Sequence, residues 1–249
     1  MAALGSAVCA CTPFGADGGG DGGVSVTDGA VADGGGGVDG GDGGEGPPVD
    51  AGSCGLAGAD FCDDFESDDW RSRWNATGSV SATPGDAVSG TRSIEIERLV
   101  GSTPKLIAHE LDATKKVFKL TVRMRVLKAG DGEMDLIAIT ETNAVVAPFG
   151  KGLFIARPQG RTTYVLEGPG ITRVDLAGSF STWTKLTLVL DLGNHRYSLD
   201  DGDGHFEGPF DATWNPSTLF VQLGAFWEPV VKLKDWQVRF DDVAVTSRP

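Results

Sequence analysis

The sequence contains few cysteines, histidines and tyrosines, three residue types that many enzyme active sites use. It has four cysteines, three histidines and two tyrosines in 249 residues. None of the histidines stands in a serine-hydrolase, zinc-protease or triad-like motif. No apolar run approaches the roughly 20 residues that a membrane-spanning helix requires. The net charge is −14 and residues 1–52 contain no Lys or Arg, so nucleic acid is not an expected partner.

The first 11 residues resemble the end of a bacterial secretion signal. They are small and apolar but lack the basic n-region of a complete signal peptide. Residues 8–11, Val-Cys-Ala-Cys, resemble a lipobox with a small residue before the cysteine, whereas Val8 makes Cys9 a poorer candidate. We therefore predict a lipidated Cys11, which would attach an exported protein to the lipid bilayer of the outer membrane or cell surface. The alternative is a disordered N-terminus with two free thiols.

Residues 12–52 have the composition of a tether. Residues 15–46 are half glycine, and most of the remainder is Asp, Val and Ala. Such a segment cannot bury enough apolar surface to offset its chain entropy. The sequence therefore predicts a disordered Gly/Asp-rich tether over 12–52 and one folded domain over 53–249.

Cys54 and Cys62 lie eight residues apart at the start of the predicted domain. A metal site would need further Cys or His residues at ligand spacing, and none is nearby. In an exported protein the default for such a pair is a disulfide. We predict a short disulfide-closed loop that fixes the first strand.

From Phe61 onward the hydrophobic period is two. In residues 118–126, Phe-Lys-Leu-Thr-Val-Arg-Met-Arg-Val, apolar side chains alternate with polar ones, which is typical of a half-buried antiparallel strand. Other segments of this kind are 93–99, 106–111, 134–140, 152–156, 163–167, 186–192, 196–199, 219–226 and 236–245. Many short strands without a helical stripe predict an all-β sandwich or barrel, with the sandwich favoured.

Two aromatic-flanked acidic pairs stand at the two ends of the domain. Asp63 and Asp64 follow Phe61, and Asp241 and Asp242 follow Phe240. This placement predicts that the first and last strands lie side by side with their carboxylates at one end. The alternation in the last strand slips by one residue at the second pair, which predicts a β-bulge there.

Several segments together resemble the concanavalin A-like lectin and glucanase jelly rolls, which include laminin-G-like modules. The segments are DDFE (63–66), SGTRSIEI (89–96), WTKLTLVLD (183–191), YSLDDGDG (197–204), LFVQLGAF (219–226) and FDDVAV (240–245). The resemblance implies a two-sheet antiparallel jelly-roll sandwich. Members of that fold include sugar-binding modules, glycosidases, polysaccharide lyases and adhesion domains, so the resemblance does not select a function.

The same resemblance implies a structural Ca²⁺ between the first and last strands. The ligands would be Asp64, Glu66, Asp241 and Asp242. Carboxylates and backbone carbonyls at a bulge suit the six to eight hard oxygens that Ca²⁺ prefers. The alternative is that these acids cap strand ends and pair with arginines.

Trp214 and Trp227 lie at predicted loops or strand ends, where a ring could stack on a pyranose. Arg123 and Arg125 lie on the polar side of the 118–126 strand, where they could accept acidic sugars. The alternative for the tryptophans is a core position, and for the arginines a solvated strand face that protects against edge aggregation.

The catalytic motifs are incomplete. Glu133 and Asp135 resemble the start of the E-x-D-x-x-E strand of retaining β-glucanases, but Ala138 occupies the position of the acid. A lyase site would need His195 with Tyr164 or Tyr197, and His195 and Tyr197 lie two residues apart on one strand face; the alternative is a solvent-facing pair of strand residues. We therefore predict a non-catalytic, surface-anchored module that binds a glycan or cell-envelope polysaccharide. The alternatives are a polysaccharide-cleaving enzyme of the same fold and a purely structural or adhesive module.

Overall fold

The computed structural model describes residues 58–78, 80–99, 102–143, 150–226 and 235–249. The strands are β1 (Phe61–Asp63), β2 (Asn75–Thr77), β3 (Ser81–Pro84), β4 (Arg92–Arg98), β5 (Lys105–Leu111), β6 (Val117–Lys128), β7 (Met134–Thr140), β8 (Gly152–Arg157), β9 (Val165–Gly168), β10 (Ile171–Asp175), β11 (Thr184–Asp191), β12 (Arg196–Asp200), β13 (His205–Pro209), β14 (Leu219–Ala225) and β15 (Trp236–Arg248). A short 3₁₀ helix (Trp70–Arg73) connects β1 and β2. In the described part of the chain, no helix has the length and apolar character to cross a membrane.

The strands form two antiparallel sheets that face each other. The eight-stranded sheet has the order β13-β12-β11-β6-β15-β4-β3, with β1 also paired to β15. The seven-stranded sheet has the order β10-β9-β8-β7-β14-β5-β2. This arrangement confirms the predicted all-β, two-sheet antiparallel sandwich.

The first and last strands pair as the acidic pairs predicted. β1 lies antiparallel to β15, with Phe61 opposite Val245 and Asp63 opposite Val243. The register of β15 against β6 shifts between Asp241 and Ala244, and Asp242 has a left-handed backbone φ of 48°. The predicted bulge is therefore confirmed, and at this point β15 changes its outer neighbour from β4 to β1.

The core between the sheets is built by the period-two pattern. In β6 the side chains of Phe118, Leu120, Val122 and Met124 are buried, while the polar residues between them lie on the outer face. β11 repeats this alternation. Burial of one face of each sheet is the main stabilising contribution in such a sandwich.

The seven-stranded sheet is also buried over part of its outer face. Leu106, Ala108 and Ala138 point away from the main core and form a second cluster with Phe226. Gln222, which stands opposite both alanines, is fully buried in the same row. The rest of this outer face carries a groove.

Residues 1–57 and 227–234 lie outside the described residues. The proposed tether, the domain boundary at residue 53, Cys11, Cys54 and Trp227 therefore stay predictions.

Candidate functional site

A groove of about 530 Å³ opens on the outer face of the seven-stranded sheet, over β8, β9 and β10. This volume lies within the range of small-molecule sites in proteins. Its lining consists of Lys151, Gly152, Phe154, Glu167, Gly168, Pro169, Ile171, Arg173 and Asp211. It therefore combines one aromatic ring, four charged side chains and several glycine and apolar residues.

The turn between β9 and β10 forms one wall of the groove. Gly168 pairs with Ile171 across a two-residue turn, Pro169-Gly170, and Gly170 has a φ of 70°. Proline followed by a residue with positive φ is the composition of a type II turn. The backbone N–H of Asp211 donates to the carbonyl of Pro169 at 2.9 Å, which attaches the segment after β13 to this wall.

Phe154 forms part of the groove lining. It stands opposite Ala138 on one side and Glu167 on the other. Cross-strand partners share a sheet face, so the ring and the Glu167 carboxylate lie on the same surface. Phe154 is half-buried and packs on the outer cluster. A half-buried ring beside a carboxylate presents both an apolar face and a hydrogen-bond acceptor.

Arg173 links two carboxylates beside the ring. Its Nε and Nη2 both donate to Glu167 Oε2, at 3.0 and 2.6 Å. Its Nη2 also lies 3.7 Å from Glu133 Oε1. One cation therefore compensates two anions in this part of the face.

Asp135 on β7 is a further carboxyl group near these anions. It is 5% exposed and stands opposite Ala156 on β8. Burial, and then the charges of Glu167 and Glu133, raise the pKa of Asp135 to about 8, and no hydrogen bond from the described residues opposes this. Asp135 therefore carries a proton at neutral pH.

Asp211 and Lys151 also line the groove, and their charges interact. Hydrogen bonds from Thr213 lower the pKa of Asp211, and the charge of Lys151 lowers it further. Lys151 is exposed, and its backbone N–H donates to Glu141 Oε1 at 3.1 Å.

Two of the predicted calcium ligands, Glu66 and Asp241, accept hydrogen bonds from residues 88–92. Both oxygens of Glu66 accept hydrogen bonds, Oε1 from the backbone N–H groups of Thr91 and Arg92 and Oε2 from the Thr91 hydroxyl. Against desolvation by burial, the bonds from Arg92 and Thr91 lower the pKa of Glu66. Asp241 is fully buried and accepts from the backbone N–H groups of Val88 and Ser89, at 2.7 and 3.3 Å.

The other two predicted calcium ligands also have protein partners. Asp242 accepts from the Ser89 hydroxyl and pairs with Arg123 at 3.3 Å, and Asp64 accepts from the backbone N–H of Glu66. Within the described residues, no group of three or more His, Cys, Asp or Glu side chains could hold a metal ion. Calcium therefore stays a prediction for a stability measurement.

Of the residues predicted to bind the ligand, the structure describes Trp214, Arg123 and Arg125. Trp214 is 1% exposed and packs edge-on against Phe210, so a stacking role does not fit its position. Arg123 and Arg125 lie on the outer face of the other sheet, and Arg125 pairs with Asp86 at 2.6 Å. The position of Trp214 in a loop suggests an accessible ring, but its side chain is part of the main core, which is the alternative given above.

The lyase pair also does not form an open site. Tyr197 and Tyr164 are 6% and 3% exposed. Burial raises the pKa of both phenols, that of Tyr164 to about 12.

Cys62 lies in β1 opposite Ala244. Its predicted disulfide bond to Cys54 involves a residue outside the described ranges.

The sequence interpretation missed Phe154, Glu167 and Arg173. A signal for two of them was present, because Gly168-Pro169-Gly170 is turn chemistry that places β10 beside β9. That hairpin makes Arg173 on β10 a diagonal cross-strand neighbour of Glu167 on β9. The groove itself depends on how β8, β9 and the segment after β13 meet, which no local pattern specifies.

Comparisons with known proteins agree with the fold. No protein family matches the sequence, and no curated protein matches it. Among solved structures the chain is similar to the cellulose-induced protein Cip1, with a TM-score of 0.54 and 15% identity over 75% of this chain and 96% of that one. It is also similar to a sialidase, with a TM-score of 0.54 and 12% identity over 76% of this chain.

A third similar structure is of botulinum neurotoxin type C, whose cell entry depends on interaction with two ganglioside molecules. The TM-score is 0.51 and the identity 8% over 70% of this chain. This chain spans 43% of that structure and 18% of the sialidase. These likenesses agree with a two-sheet jelly-roll sandwich as the fold of the chain.

Proposed function

We propose that the domain binds a glycan in the groove over β8, β9 and β10. The observation that carries the proposal is the half-buried ring of Phe154 beside the Glu167–Arg173 pair in the described groove. Ring faces stack on pyranoses, and fixed carboxylate and guanidinium groups hydrogen-bond their hydroxyls. The names of two similar structures, a sialidase and a toxin dependent on gangliosides, agree with this proposal, but the groove supports it more directly.

The test is a glycan-array measurement on the full chain, followed by calorimetry on any ligand found. Phe154→Ala is expected to weaken binding about 5- to 160-fold, because a stacked ring contributes on the order of 1–3 kcal/mol. Leu99→Ala removes an exposed apolar side chain (47% exposed) outside the groove and is the matched control. Binding that survives Phe154→Ala unchanged would exclude the groove.

Cleavage of the bound glycan is a second candidate function. Burial raises the pKa of Asp135 to about 8, and Glu167 is paired with Arg173 at 2.6 Å. Two carboxyl groups in different protonation states can act as acid and base in glycosidic hydrolysis.

Product analysis by mass spectrometry distinguishes binding from hydrolysis. Shortened oligosaccharides that disappear in both Asp135→Asn and Glu167→Gln would establish cleavage. Intact oligosaccharides after prolonged incubation, with binding retained, would leave a non-catalytic module.

We also propose that the protein is anchored to a membrane by lipidated Cys11 and that the predicted tether extends the domain away from that surface. The support is the lipobox-like sequence and the glycine content of residues 15–46. In cells, Cys11→Ala is expected to move the protein from the membrane fraction to the soluble fraction. An unchanged distribution would refute the anchor.

A further inference from the structure

The charges of the groove limit which glycans it can accept, and this inference rests on the proposed function. Arg173 and Lys151 are the cations of the lining, and Glu167 and Asp211 are its anions. Glu133 is not among the lining residues, and its Oε1 lies 3.7 Å from Arg173 Nη2. The balance among these groups decides whether an anionic sugar is attracted or repelled.

Arg173 has no surplus charge to offer an anionic ligand. Two of its nitrogens are bound to Glu167 and one of these also faces Glu133. All three side chains are partly exposed, at 41%, 27% and 24%, so their charges reach the groove. Two carboxylates for one guanidinium leave this side of the groove net negative.

Lys151 does not reverse the balance, because its charge already acts on Asp211. The buried Asp135 is affected by the same negative charges. Glu167 and Glu133 add to burial in raising the pKa of Asp135. A carboxylate brought into the groove would meet the same repulsion.

The acceptors of the groove suit hydroxyl groups. Both bonds from Arg173 go to Glu167 Oε2, which leaves Oε1 without a hydrogen bond from the described residues. A carboxylate oxygen in this position accepts a hydrogen bond from a sugar hydroxyl, and such charge-assisted bonds are stronger than neutral ones. The ring of Phe154 lies on the same face.

We propose that the groove selects a neutral, hydroxyl-rich glycan and rejects polyuronates and sulfated glycans. The sugar would stack on Phe154 and donate a hydroxyl to Glu167 Oε1. This differs from the expectation that Arg123 and Arg125 accept acidic sugars, because those arginines lie on the other sheet and are paired with Asp242 and Asp86.

The experiment is calorimetry of the full chain with hexasaccharides of equal length. The neutral set is cello-, manno- and xylohexaose and hexa-N-acetylchitohexaose, and the acidic set is hexagalacturonate and hexamannuronate. We expect at least one neutral hexamer to bind about 100-fold more tightly than either acidic one, since like charges in an interface are strongly unfavourable. Between 0.05 and 0.5 M NaCl the neutral affinity should stay constant, because screening acts on charge pairs.

Glu167→Gln removes one of the two carboxylates and frees Arg173. It is expected to weaken the neutral ligand and strengthen the acidic ones, so that their affinity ratio falls at least about tenfold. Glu97→Gln makes the same charge change at an exposed position on the outer face of the other sheet and should leave the ratio unchanged. The salt series on the unsubstituted protein does not depend on whether the variants fold.

The outcomes separate this inference from the proposed function. An acidic hexamer that binds and loses affinity in Phe154→Ala would overturn the selection for neutral glycans and leave the groove as the binding site. Neutral binding that neither Phe154→Ala nor Glu167→Gln changes would overturn the assignment of the groove. No binding by any hexamer would overturn both.

Discussion

Asp135 makes the stability of the protein depend on pH in a way that one substitution isolates. Its folded-state pKa is about 8, against an ordinary value of 3.8. Because the folded-state pKa is raised, the contribution of this group is most favourable below pH 4 and is lost as the pH rises through 8. Asp135→Asn keeps the size of the side chain and removes the titration.

The size of the effect follows from the pKa difference. Each pKa unit corresponds to about 1.36 kcal/mol. At pH 7 the carboxyl group therefore costs about 4 kcal/mol of unfolding free energy that the asparagine does not, and the difference reaches about 6 kcal/mol above pH 9. Between pH 4 and 8 the advantage of the variant should grow by about 1.4 kcal/mol per pH unit.

Urea unfolding followed by tryptophan fluorescence at pH 5, 7 and 9 measures this difference. The other buried carboxyls with raised pKa values, Asp63 and Asp241, are present in both proteins and cancel. Asp175→Asn is the matched control, since Asp175 is 59% exposed on the same sheet. An advantage of Asp135→Asn that is the same at all three pH values, or that shrinks as pH rises, would refute the reasoning.

Three further predictions concern the turn at Gly170, the hydrogen bonds that Asp241 accepts from the 88–92 loop, and calcium. Gly170→Ala should lower the free energy of unfolding by at least about 1 kcal/mol in urea titration, because φ is 70° and the added Cβ would lie 2.9 Å from the backbone nitrogen of Asp211. Asp241→Ala should cost about 1–3 kcal/mol in the same assay, since two partly buried N–H donors lose their acceptor; an unchanged midpoint would show that the loop is not held by this group. Bound structural calcium predicts a higher Tm in millimolar Ca²⁺ than in chelator, with the difference lost in Glu66→Gln, and equal Tm values would dismiss the ion.

The long strands could be predicted because their alternation is complete. β6 and β11 bury every second residue against the other sheet, and β7 has the bounds that the pattern predicted. The shorter strands β2, β3, β10 and β13 have mostly exposed or half-buried residues. Their hydrogen bonds are made to neighbouring strands that carry the hydrophobic pattern, so no period-two signal marks them.

The acidic pairs show where sequence reasoning stops. Aromatic flanks and position in the chain were enough to pair β1 with β15 and to predict the bulge. The partners of the carboxylates could not be predicted, because Asp241 accepts from Val88, 153 residues earlier. Such a contact depends on the conformation of the loop at 88–92 and has no counterpart in the residues near Asp241.

Trp214 and Phe154 illustrate the same limit for the site. Both are aromatic residues beside turns or glycines, and composition treats them alike. The backbone N–H of Trp214 donates to Asp211 in a turn that directs the ring inward, whereas Phe154 alternates to the outer face of β8. Exposure is decided by the strand phase and by the turn, and only the first of these can be read from the sequence.

The two outer faces differ in how completely their charges are paired. On the eight-stranded sheet, Arg239 pairs with Glu95 and Asp86, and Asp86 also pairs with Arg125, so two cations meet two anions within the sheet. On the seven-stranded sheet, Arg173 alone faces two carboxylates. Unbalanced carboxylates are unfavourable for folding unless they are solvated or a neighbour is neutral, as Asp135 is. This cost falls at the groove, where a hydroxyl-bearing ligand can satisfy the acceptors, and it makes this face the better candidate for binding.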